Sequence, residues 1–211
     1  LSQIVADVFR VKLNEIFVNS THDTHKDSWS IAAGNYSSRF AGAVAGSAYN
    51  AAINLKKKLQ KIAASELNCK SENVLFDKGK VFDMKNSDNY LKFKRLAGIP
   101  HWSPGNLPEN LNPSLKETCF WGAEELSPPN EKDEINGSLA YGFVFDVCGL
   151  EIDPITSKVK IDKYVTGHDA GKILNPLLAN GQIYGAYAHA VGAALLEEFK
   201  YNNLSLIHIS E

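Results

Sequence analysis

Hydrophobic residues recur with two different periods along this chain, and the switch between them predicts its elements. Leu1, Ile4, Val5, Val8 and Phe9 share one face of a helix over residues 1–10. Residues 14–19 read as a short strand, followed by a polar loop over 20–27. From 37 to 67 the apolar positions Val44, Ala48, Ala52, Leu55, Leu59 and Ile62 step by three or four, the stripe of a long amphipathic helix. Its first half is built from small residues. Its second half shows Lys56, Lys57, Lys58 and Lys61, read as a solvated face. Residues 73–84 predict a hairpin turning at Lys78-Gly79. A short helix is expected over 90–96, then an ordered surface excursion over 100–136, rich in Pro, Asn, Gly and Glu. Strands over 139–152 and 158–166 are joined by a turn at 153–157. Asn175-Pro176 then opens a last helix over 177–199. The order of elements predicts an α+β fold, with long helices packed on short mixed or antiparallel sheets.

Composition narrows the classes. With 211 residues, 44% hydrophobic and 22% charged, the chain has ordinary globular usage and can bury a core. It is long enough for one large domain or two subdomains, with a division expected near 100–136. A net charge of −2 points away from nucleic acid and anionic membrane surfaces. No apolar run reaches the roughly 20 residues of a membrane span. Cys69, Cys119 and Cys148 form no C-x-x-C pair, so no zinc ribbon or iron–sulfur cradle is expected in this chain. Sparse, odd cysteines suit a reducing, cytoplasmic setting. Residues 204–211, LSLIHISE, resemble a translated sequencing-library adapter. They are expected to lie outside the native protein, which would then occupy 1–203.

Three segments carry candidate chemistry. Gly34, Asn35, Tyr36, Ser37, Ser38 and Arg39 stand just before the long helix. Free N–H groups and the dipole at a helix start favour an anion, and the small residues behind let a flat ligand approach. The same residues also suit a capped, tightly packed helix with no ligand. The second segment, residues 166–176 (TGHDAGKILNP), is either a loop lining a site at a strand end or turn chemistry alone. The third is a helix with Gly181, Gly185 and Gly192, each costing about 1 kcal/mol of helix propensity relative to Ala. Such a helix is expected to pack closely against a neighbouring helix or a cofactor. Gln182 and His189, seven residues apart, share one of its faces. His22, Asp23 and His25 lack metal-ligand spacing, Glu197-Glu198 reads as a solvated helix end, and no G-x-S-x-G elbow occurs. No metal is assigned to protein side chains.

These segments, in this order, resemble the second molybdopterin-binding domain of the xanthine dehydrogenase/aldehyde oxidase family. The likeness runs from Gln3-Ile4-Val5-Ala6 and Asp23-Thr24, through Gly34 to Arg39 and His168 to Pro176, to the helix from Gly181 that closes at Glu198. It implies that Gly34, Asn35, Tyr36, Ser37 and Ser38 wrap the molybdenum–molybdopterin cofactor with backbone N–H groups. It also implies that Gln182 lies on the cofactor-facing helix, and that His189-Ala190 stands where the family has a Gln–Gly pair. The activity implied is hydroxylation of an N-heterocycle (purine-like) or an aldehyde, with water as the oxygen source. A catalytic glutamate is expected outside this piece, so no catalytic residue is assigned within it and the piece is expected to be inactive alone. A 2Fe-2S cluster and FAD are expected on other domains or subunits, in an oligomeric enzyme. The alternatives are a carbon monoxide dehydrogenase-like member and a non-catalytic module that binds some other anion.

Overall fold

A computed structural model describes residues 1–21, 23–27 and 40–201, and the backbone of 206–210. The chain divides into two units, Leu1–Leu139 and Ala140–Glu211. Its elements are helices and small antiparallel sheets, an α+β architecture.

In the first unit, helix α1 (Ser2–Phe9) ends where Arg10 turns left-handed, at φ 53°. The Val11 N–H then donates to Ala6 O at 3.1 Å, satisfying a terminal carbonyl. Helix α2 (Ala45–Leu67) ends the same way at Asn68, whose φ is 51°, with the Cys69 N–H on Ala64 O. Strands β1 (Val74–Asp77) and β2 (Lys80–Asp83) turn through Lys78 and Gly79, both at positive φ, as a two-residue hairpin turn demands. Strand β3 (Asn86–Lys92) adds to β2, and helix α3 (Phe93–Trp102) follows directly. The short helix expected over 90–96 is therefore divided. Tyr90 pairs with Phe82 and Leu91 with Val81 in the sheet, and the helix begins only at Phe93. Sheet pairing outweighs local propensity there. The strand expected over 14–19 does not form. A short 3-10 turn, Leu13–Glu15, is followed by chain that pairs with no strand among the described residues, and Phe17 is 90% exposed.

Leu59, Ile62, Val74, Val81 and Leu96 are fully buried between α2, α3 and the sheet. Phe9, Phe76 and Phe93 meet edge to face, with centroids 5.6–6.0 Å apart. The lysine face of α2 is only partly solvated. Lys56 Nζ reaches back to Val8 O at 2.8 Å, a cation on the last turn of α1, and lies 5.4 Å from the Phe76 ring centroid. Burial, with Arg10 close by, lowers its pKa. Lys58 pairs with Glu117 at 2.6 Å and donates to Ser114 O at 2.7 Å. Both ammonium heads thus bind segments outside α2. Leu107, Leu111 and Leu115 dock part of the excursion onto this core.

The second unit is a long hairpin, β4 (Phe143–Ile152) and β5 (Val159–Asp169), followed by helix α4 (Pro176–Leu195). Asp153 builds the turn: its carboxylate accepts from the Ile155 and Thr156 N–H groups and from the Thr156 hydroxyl. Those bonds, the hydroxyl's first, hold the carboxyl below its ordinary range. α4 stops before the expected end at 199. Residues Glu197–Tyr201 form β6, paired with β7 (Leu206–Ser210), so Glu197-Glu198 belong to a strand. Among the described residues of this unit none is buried, and Phe143, Phe145 and Leu177 are 75%, 73% and 81% exposed. An apolar surface of that extent marks a face that meets another surface.

The cysteines differ in access. Cys148 is exposed, whereas Cys69 is half-buried, and burial, with the Asp83 carboxylate, pushes its thiol pKa up. The thiolate is the reactive form, so raising the pKa slows alkylation. Iodoacetamide at about pH 8 is expected to label Cys148 well before Cys69. Equal rates at the two sites, read by mass spectrometry, would contradict this placement.

Candidate functional site

The described part of the site is α4 and the loop that feeds it. β5 runs three residues beyond the predicted end, so Gly167, His168 and Asp169 still belong to the ladder and pair with Phe145, Val144 and Phe143. A β-carbon on Gly142 would come within 2.9 Å of Asp169 O, so this end of the hairpin closes only around glycine. Thr166 Oγ1 and His168 Nε2 are 2.9 Å apart, two residues along one face of the strand. Asp169 Oδ1 accepts from the Gly171 N–H, and Gly171 takes φ 61°. Asn175 Oδ1 then accepts from the Leu178 N–H at 3.2 Å, and Pro176 opens the helix. Local hydrogen bonding thus holds both ends of the strand-to-helix loop. It delivers α4 at the end of the hairpin.

α4 has two faces. Ala179, Ile183, Tyr187 and Val191 are half-buried and recur every four residues. Tyr187 meets Tyr164 of β5 with ring centroids 4.6 Å apart, so this face turns to the hairpin at that point. Desolvation, with Asp146 beside it, raises the Tyr164 phenol pKa. Gly181, Gly185, His189 and Gln182 fall within an arc of roughly 100° on the opposite side, at about 3.6 residues per turn. All four are exposed. Nothing lies within 4 Å of where a β-carbon would stand on Gly181 or Gly185. The close packing expected at these glycines is therefore not made by any described residue of the chain. The face presents bare backbone flanked by a carboxamide and an imidazole, both able to donate hydrogen bonds. Such a surface suits a flat, polar ligand with acceptor atoms.

The other sequence-derived candidates, Gly34, Asn35, Tyr36, Ser37 and Ser38, lie outside the described residues, as does His22. The helix they lead into is described. It opens with a π-turn, Phe40–Val44, before α2 proper. Its two glycines meet protein. A β-carbon on Gly46 would collide with the Trp121 indole, and one on Gly42 would touch Leu139. Sequence reading missed Trp121, because nothing local links a Trp in an irregular segment to a glycine 75 positions earlier. Asp23 accepts from the His25 N–H and pairs with Lys26, which together hold its carboxyl low. Among the described residues, no three His, Cys, Asp or Glu side chains gather as a metal site would require.

Residues 1–208 match the molybdopterin cofactor-binding domain family. The chain is 27% identical over 203 residues to the nicotine 6-hydroxylase large subunit of Paenarthrobacter nicotinovorans, covering 96% of this chain and 23% of that protein. It is 32% identical over 201 residues to the putative xanthine dehydrogenase molybdenum-binding subunit of Escherichia coli strain K12, covering 93% and 24%. The crystal structure of quinoline 2-oxidoreductase from Pseudomonas putida 86 shares the fold, with a TM-score of 0.77 at 24% identity, over 96% of this chain and 24% of that one. The chain thus spans about a quarter of the length of the proteins it matches.

Proposed function

We propose that this chain, which belongs to the molybdopterin cofactor-binding domain family, is the cofactor-holding portion of a molybdenum hydroxylase. Its substrate class would be an N-heterocycle or an aldehyde, hydroxylated with oxygen from water. The observation that carries this reading is the open face of α4. Gly181 and Gly185 leave backbone uncovered there, and Gln182 and His189 stand beside them, away from the hairpin. Those residues fit a flat, anionic pterin. In this reading Gln182 and His189 donate to the cofactor, and Gly34, Asn35, Tyr36, Ser37 and Ser38 contribute backbone N–H groups from the start of the long helix. When bound, the cofactor supplies two-electron redox chemistry, and the protein supplies binding and orientation.

His189 is the departure from the Gln expected by resemblance. An imidazole donates at one nitrogen while its other nitrogen depends on tautomer and pH, which a carboxamide does not. The glutamate that acts as base, the 2Fe-2S cluster and FAD would be supplied by other domains or subunits, in a cytoplasmic oligomer. The two curated relatives are named as subunits. The exposed apolar surface of the second unit suits packing against further polypeptide. Among the described residues no helix is long and apolar enough to cross a membrane.

The test is the double variant Gln182→Ala, His189→Ala in the full-length protein. Each lost bond to a charged group loosens binding by about 1.5–3 kcal/mol. Molybdenum retained through gel filtration is expected to fall at least about tenfold. Undiminished metal and pterin would remove α4 from the site.

A further inference from the structure

α4 carries no apolar stripe that could choose its inward side. Leu177, Leu178, Ile183, Val191, Leu195 and several alanines place apolar surface all round it. Burial of apolar surface alone therefore leaves the rotation of the helix about its axis undetermined. The Asn175 cap and Pro176 fix where the helix begins. A specific contact fixes its rotation. Among the described residues, the rings of hairpin and helix meet at Tyr164 and Tyr187, with centroids 4.6 Å apart and planes inclined at 53°. Such a pair prefers particular geometries beyond the area it buries. Tyr164 is itself held in place. It stands opposite Cys148 in the ladder, and the Asp146 carboxylate, on the same side of the hairpin, lies beside its phenol. Counted from Tyr187 at about 100° per residue, Gly181, Gly185, His189 and Gln182 fall at about 120°, 160°, 200° and 220°. The centre of the ligand face is thus almost directly opposite the ring contact. A roll that breaks the contact turns one edge of that face toward the strands.

We propose that Tyr164 is a positioning residue: packed on Tyr187, it sets the rotation of α4 and so presents Gly181, Gln182, Gly185 and His189 to the cofactor. This rests on the reading that this face of α4 receives the cofactor. Tyr164 acts through Tyr187, from the side of the helix away from the ligand. The turn at Asp153, at the end of the hairpin away from the loop to α4, provides a control that weakens the hairpin without touching the ring contact.

The experiment uses the full-length protein with Tyr164→Ala, Tyr187→Ala, their double variant, Tyr164→Phe and, as control, Asp153→Ala. Two readouts are taken: molybdenum and pterin retained per folded chain, and amide hydrogen exchange over Pro176–Leu195. Tyr164→Ala and Tyr187→Ala are each expected to lower retained cofactor about fivefold, the scale of one aromatic pair. Tyr187→Ala raises helix propensity, so its loss cannot come from a weakened helix. Both act through one contact, so the double variant is expected to lose about fivefold as well, not the roughly 25-fold of independent sites. Tyr164→Phe keeps the ring and is expected to load as wild type. The control is expected to lower Tm yet load fully. Full loading in Tyr164→Ala, multiplied losses in the double variant, or a loss in Tyr164→Phe or the control equal to that of Tyr164→Ala overturns the proposal. Wild-type protein without molybdenum or pterin would instead sink the functional reading. Exchange in α4, expected to be about fivefold faster in Tyr164→Ala than in Tyr164→Phe, would still decide whether the ring holds the helix, and equal exchange would show that it does not.

Discussion

Gly185→Leu in the full-length protein is expected to reduce bound molybdenum to less than about a tenth of wild type while leaving α4 at least as stable. The two halves of that expectation come from the same site. Among the described residues nothing lies within 4 Å of a β-carbon at 185, so a side chain there starts into open space. In a helix interior, leucine is favoured over glycine by about 0.8 kcal/mol, which strengthens α4 locally. A loss of cofactor therefore could not be ascribed to a broken helix. The leucine would rise from the face that carries Gln182 and His189 and hold a flat ligand away from the backbone. Helicity and metal content measured on the same sample separate the outcomes. A stable variant with full molybdenum would show that this face is not where the cofactor rests.

The second large effect lies in the core. Leu59 is 2% exposed, midway along α2, among the side chains that join this helix to the sheet and α3. Leu59→Ala removes buried methyl groups and leaves a cavity, at a cost of about 3 kcal/mol. Thermal unfolding of the first unit is expected to shift down by about 10 °C. Leu177→Ala makes the same chemical change at a residue that is 81% exposed, and within this chain is expected to cost under about 0.5 kcal/mol. Comparable losses for the two variants would mean that the core is misplaced.

Much of this architecture was legible where local chemistry and pattern agree. The stripe from Val44 to Ile62, the Lys78-Gly79 turn, the Asp153 turn and the Asn175-Pro176 helix start each carry a short-range signal, and each stands in the structure. The differences arise where a distant partner decides. Tyr90 and Leu91 have no helical fault, but Phe82 and Val81 recruit them into a sheet. Phe17 alternates correctly for a strand and pairs with none among the described residues. Glu197 and Glu198 follow a helical run, yet α4 stops at Leu195 and they stand extended, opposite residues 210 and 209. At the site, the shared face of Gln182 and His189 follows from spacing alone. Which way that face points depends on the Tyr164–Tyr187 contact, which no periodicity announces. The small residues of α2 show the same limit. Their need for a close neighbour is readable, but the neighbour's identity, Trp121, comes only from the fold.

The central claim is that this chain holds a molybdenum–pterin group, with the α4 face as part of its site. The most direct measurement is the metal and pterin content of the wild-type full-length protein, purified without added cofactor. The account predicts about one molybdenum per chain, with pterin in equal amount, both diminished in the Gln182→Ala, His189→Ala variant. Protein that is folded and contains neither molybdenum nor pterin would contradict it.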